Sequence, residues 1–227
     1  NSRNVWSKMK IKTTELIKKI WNAGGKTRIL SGPIIRSLRW LLISFLYLAI
    51  GLSFLGIRED WVAVMQSPVL LLQTTLYLCL SIFSGISAFI LSVPGQERRW
   101  LHIIPLVTLT LWFVIILYEI FNEEHLVNPV GYYCLWDILI LAFIPGIALF
   151  IMLRKAAPLN LEKTGMLSVL SVGALGAFGT QFICTIDSPL HFLLWHFIPV
   201  LIIGLLGVFL GKLFLKNHLN PELENNE

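Results

Sequence analysis

Charge is scarce in this chain, and the shortage removes most soluble classes at once. Only 14% of the residues are Asp, Glu, Lys or Arg, against about 25% in an ordinary soluble domain. With 56% apolar residues and a mean hydropathy of +0.76, there is too little polar surface to cover a soluble fold. Three cysteines in 227 residues are too few for a disulfide framework. No Gly-rich phosphate loop, zinc-protease helix, nucleophile elbow or Cys-x-x-Cys pair occurs, so an enzyme has no residues to stand on and no cofactor is expected. Ionisable groups are also rare within the apolar runs. Glu119 and Asp137 fall at one set of ends, Lys212 falls at the other, and only His196 lies deeper. A proton or ion relay wants charge at mid-depth, which disfavours transport.

What the chain does have is six apolar runs, at 40–57, 69–93, 103–121, 135–153, 164–183 and 189–215. Each is close to the roughly 20 residues that cross a hydrocarbon core. The expected fold is therefore all-α: a six-transmembrane-helix bundle over 39–216, a cytoplasmic tail over 1–38 and a second tail over 217–227. No cleavable signal peptide is expected, because the first apolar run follows a long basic stretch; Met9 reads as an initiator.

Of the 18 Lys and Arg, all but Arg58 lie in the N-terminal tail, the second and fourth connections or the C-terminal end. Basic residues near span ends stay on the cytoplasmic side, which predicts both termini in the cytoplasm of a bacterial inner-membrane protein. The net charge of +5 is then explained by anionic lipid, and no direct nucleic-acid partner is expected. Trp40, Trp61, Trp100, Trp136 and Trp195, with Tyr132 and Tyr133, sit near span boundaries as an interfacial belt would. Gly173, Gly176, Gly179, Gly207 and Gly211 read as close helix packing within one chain, with a homodimer as the second reading.

The tail holds a basic amphipathic helix with Leu16, Ile17 and Ile20 on its apolar stripe. Such a helix either lies on lipid or docks a cytosolic protein, and the pattern serves both. Arg98 and Arg99 in the second connection would support a docked partner.

Chemistry concentrates on the opposite side. Cys134 opens the fourth span and Cys184 closes the fifth, at one membrane level on the oxidising face. The pair can serve as a redox or metal-responsive site, a static disulfide or inert thiols. Cys79, near mid-bilayer, reads as a small core residue. Asp187 or Ser188 can cap the sixth helix, with Pro189 in its first turn and Asp187 four residues from His191 on one face. Cys134, Cys184, Asp187 and His191 have the chemistry of a soft-metal site. At about 100° per residue, however, His196 falls about 140° away from His191, so the two do not face one ion and no metal centre is expected.

The run Cys184-Thr185-Ile186-Asp187-Ser188-Pro189-Leu190, followed by Leu194-Trp195, resembles the Cys-Pro-x-Asp-Ser-Pro…Leu-Trp signature of the NrsF-like family of six-span bacterial anti-sigma factors. Thr14-Glu15-Leu16-Ile17, Leu91-Ser92-Val93-Pro94-Gly95-Gln96-Glu97-Arg98 and Cys134-Leu135 are similar in order and spacing. Thr185 stands where the family has Pro, and His191 stands where it has an apolar residue. The resemblance implies that the outer cysteines sense oxidants or heavy metals. It also implies that the cytoplasmic face holds an extracytoplasmic-function sigma factor, released on stress. A small metal or solute permease is the alternative, and a structural membrane subunit a third reading.

Overall fold

The computed structural model describes residues 30–96, 98–122, 130–156 and 158–215, together with Glu15, Ile17 and Lys18. Two compact units are separated, 1–31 and 32–227. In the first, Glu15, Ile17 and Lys18 are helical and exposed. Leu16, Ile20 and the C-terminal tail lie outside the described residues.

The second unit is helical throughout its regular structure. Its elements are α1 (Pro33–Leu55), a short α2 (Trp61–Gln66), α3 (Pro68–Leu91), α4 (Trp100–Asn122), α5 (Tyr132–Arg154), α6 (Leu161–Thr180) and α7 (Pro189–Phe214). Proline starts three of them: Pro33, Pro68 and Pro189 each occupy the first turn, where a missing N–H loses no bond. Asn160 caps α6, its side chain accepting from the Lys163 backbone N–H at 3.0 Å. Gly56 ends α1 at φ 85°, a left-handed conformation that favours glycine, and its N–H returns to the Leu52 carbonyl.

Among the described residues, five helices (α1, α3, α4, α5 and α7) are long and apolar enough to cross a membrane. They turn large apolar side chains outward, among them Leu42, Phe54, Phe121, Phe143, Phe209 and Leu213. This is the surface of a multi-pass membrane protein. α6 is the exception. It is the least apolar of the long helices, rich in Gly and Ser, and almost every residue from Thr164 to Thr180 is buried. It packs against α3, α5 and α7, so it needs small residues for close approach more than it needs a greasy surface. At the α6–α7 crossing a Cβ on Gly165 or Gly211 would land on the partner helix's backbone, and one on Gly176 would meet the Ile138 carbonyl of α5. These glycines serve packing within the chain.

Trp112, Tyr77, Ile138, Phe192 and Phe197 form one apolar cluster; Trp40, Phe89, Leu101, Leu149 and Leu153 form a second. Two expectations change here. The first helix begins at Pro33 rather than near residue 40, because Arg36 does not stay in water: its guanidinium is buried among α1, α3 and α5. Trp40 is not an interfacial anchor either. It is fully buried, and its indole N–H donates to the Pro145 carbonyl at 3.0 Å. Trp61, Trp100 and Trp136 do stay exposed.

Candidate functional site

The candidate site forms where α5 begins, α6 ends and α7 begins. Cys134 sits in the first turn of α5, which starts after Gly131. Cys184 follows the closing turn of α6, its N–H bonded to the Thr180 carbonyl at 2.8 Å. The two sulfurs are 3.3 Å apart and both thiols are free and buried. His191 Nε2 lies 3.4 Å from Cys134 Sγ and 3.3 Å from Cys184 Sγ. Cys134 donates to Cys184, and that bond is the main cause holding the Cys184 thiol well below its ordinary range; burial opposes it, and His191 and His196 assist. Cys184 is thus the more acidic thiol of the pair.

His196 joins this group. Its donor atoms and those of Cys134, Cys184 and His191 all lie within 4.8 Å of one another, and all four residues are buried. The expected 140° separation of the histidines assumed an α-helix throughout, but α7 is π-helical over Phe192–Phe197. In a π turn the bonds run i→i+5, so residues five apart stack on one face. The imidazole centroids of His191 and His196 are accordingly 5.3 Å apart. Pro199 follows this turn. It has no N–H for the carbonyl four residues back, so an α ladder would be interrupted there in any case.

Asp187 takes a different role from the one expected. Its carboxylate is given to Arg58, which donates to both of its oxygens at 2.8 Å, and neither it nor Ser188 makes a side-chain cap on α7. Ser188 does occupy the N-cap position and Pro189 the first turn. Arg58 also donates to Asp60 at 2.7 and 2.9 Å and to the Cys184 carbonyl at 2.7 Å, while its own N–H bonds the Phe182 carbonyl at 2.9 Å. The Asp187 and Asp60 bonds raise the pKa of the guanidinium further, and Arg58 in turn holds the Asp60 carboxyl below the usual range. One buried arginine thus ties the segment after α1 to the loop that carries Cys184.

Sequence reasoning passed over three contributors. Arg58 had a signal, as the lone cation of the alternate connections. His196 had Pro199 three residues on. Gly131 had none: a Cβ there would collide with the His191 ring and with Trp195, which only the packing reveals. Arg98 and Arg99 are exposed before α4, at the helix end away from the cysteines, and Ile17 is exposed on its helix. Cys79 is half-buried and apart from the cluster.

No curated protein and no solved structure matches the chain. Residues 27–216 match the NrsF family, described as Negative regulator of sigma F, and this span covers α1 to α7, the cysteine–histidine group and the Arg58 clamp. With that match over most of its length, and with the cysteine loop and apolar helices in place, the chain belongs to the NrsF family of anti-sigma factors, negative regulators of a sigma factor.

Proposed function

We propose that this protein is an inner-membrane anti-sigma factor that holds an extracytoplasmic-function sigma factor on its cytoplasmic face and lets it go when Cys134 and Cys184 react on the periplasmic side. The single observation that carries this reading is the 3.3 Å approach of two free thiols from separate helices at one end of the bundle. The basic residues support the sidedness. Arg36, Arg39, Arg98, Arg99, Arg154, Lys155 and Lys163 belong to the opposite helix ends, and Arg58 alone to the cysteine end. On this reading α6 also crosses the bilayer, shielded by its neighbours, which gives six spans and both termini inside.

The chemistry is a two-electron oxidation. A peroxide takes two electrons and two protons from the thiols, leaving a disulfide, water and an alcohol. Cys184, whose thiol gives up its proton more readily, is the attacking sulfur, and Cys134 closes the bond. Closing it draws α5 toward the end of α6 and shifts their packing. A coupling of about 1–3 kcal/mol between the two ends suffices for a switch. The cytoplasmic contact would use the Leu16, Ile17 and Ile20 stripe with Arg98 and Arg99.

The test is a sigma-dependent reporter in cells. Cys134→Ser with Cys184→Ser should keep repression and abolish induction by peroxide, while Cys79→Ser should change neither. Leu16→Asp with Ile20→Asp should release the sigma factor without stress. Continued induction in the double cysteine variant would remove the thiols from the mechanism.

A further inference from the structure

We propose that Cys134, Cys184, His191 and His196 form a tetrahedral site for a divalent d10 cation, zinc or its heavier congener cadmium. This deepens the sensing reading of the same site and adds two ligands that the thiol chemistry does not require. Four donors from three segments converge: one from α5, one from the loop after α6 and two from the start of α7, where His191 immediately precedes the π turn and His196 lies within it. In a tetrahedral zinc centre with two sulfurs and two nitrogens, the ligand–ligand edges are about 3.3–3.8 Å. The three edges among Cys134, Cys184 and His191 are 3.3, 3.4 and 3.3 Å, and the His196 donor lies within 4.8 Å of the other three, so binding would draw His196 inward.

The histidines are the informative part. Both are fully buried, and neither nitrogen of His196 makes a hydrogen bond. A buried, unsatisfied imidazole is costly unless something else takes its lone pair. The π turn that aligns His196 with His191 is a rare backbone form that recurs at functional sites. Gly131 leaves the space that the His191 ring fills, and Arg58 fixes the Cys184 carbonyl from behind. Charge selects the ion. Two thiolates and two neutral imidazoles neutralise a dication, whereas a monovalent ion would leave a net negative charge buried away from water. Metal and disulfide compete for the same sulfurs, so a loaded site resists oxidation.

The experiment is a cobalt titration of the full-length, reduced protein in detergent micelles, followed by zinc displacement. One ion per chain, the intense visible bands of tetrahedral cobalt, and thiolate charge transfer are expected. His191→Gln and His196→Gln should each weaken binding by at least about tenfold. Wild-type affinity in both variants, or an octahedral spectrum, overturns the proposal. X-ray absorption of the zinc-loaded wild type needs no variant to fold. Two sulfur and two nitrogen neighbours support the site, and sulfur with oxygen alone overturns it. Sigma-factor retention is scored on the same preparations. Its loss with cobalt binding intact would defeat the regulatory reading and leave the metal centre standing, while the converse would do the opposite.

Discussion

Among the described residues each end of the bundle buries one arginine, and the two are treated very differently. Arg58, 6% exposed, makes five side-chain hydrogen bonds, four of them to the carboxylates of Asp60 and Asp187 at 2.7–2.9 Å. Arg36, 3% exposed, has Ser92 Oγ at 3.1 Å, two carbonyls at 3.5 Å, the Phe89 ring at 5.5 Å and an Nε without a partner. Charge-assisted forked pairs are short and strong, whereas a 3.5 Å contact to a carbonyl is at the edge of being a bond. The cysteine end is therefore held by electrostatics. The Arg36 end is held by contact between helix backbones, where Gly165 meets Gly207 and Gly211. The lesson is that the reactive loop is locked by groups that protons and ions can reach, while the far end depends on shape.

That contrast can be broken in four ways. The largest effect belongs to the glycine contact: Gly165→Leu forces α6 and α7 apart and should destabilise the bundle by about 3 kcal/mol, read as a fall in Tm in detergent. Next comes the clamp. Asp187→Ala leaves a buried guanidinium short of two bonds, a loss of about 2 kcal/mol, and should speed labelling of Cys184 by a thiol reagent. If labelling stays slow, Arg58 is not what closes the loop.

Acid gives the third test. The folded-state pKa of Asp60 lies below its unfolded value because Arg58 stabilises the carboxylate. Its contribution is thus complete above the unfolded value of about 4, shrinks as pH falls through the folded value, and is absent below it. The Tm of the wild type in detergent should accordingly fall as pH drops through this range, and Asp60→Asn should remove this contribution. The smallest effect is expected of Arg36→Met. Replacing a buried charge that has only neutral partners by an apolar chain of similar reach should change stability by no more than about 1 kcal/mol, and can raise it. A large loss would mean that the two ends are alike after all.

Much of this was legible beforehand. The apolar runs mark the helices to within a few residues at most ends, because about 20 residues of one character is a strong local signal. The exception is the start of α1, where a burial not visible in the chain overrides the usual rule for arginine. The cysteine pair was legible too, since Cys134 and Cys184 fall at corresponding span ends. Asp187 was misassigned because a residue before Ser-Pro looks like a cap until a buried cation competes for it. His196 was misplaced because periodicity assumes a uniform helix, and six residues of π winding turn the ring to another face.

Composition and charge distribution by themselves determined a multi-pass helical protein with its thiols at one end and its cations at the other, because hydration and lipid partitioning act on each residue locally. Tertiary structure alone decided that α6, the least apolar long helix, lies at the centre, that Arg58 secures the cysteine loop, and that His196 stands beside His191. Those outcomes depend on which distant groups satisfy a buried charge and on how one helix winds, and neither is a property of any single stretch of sequence.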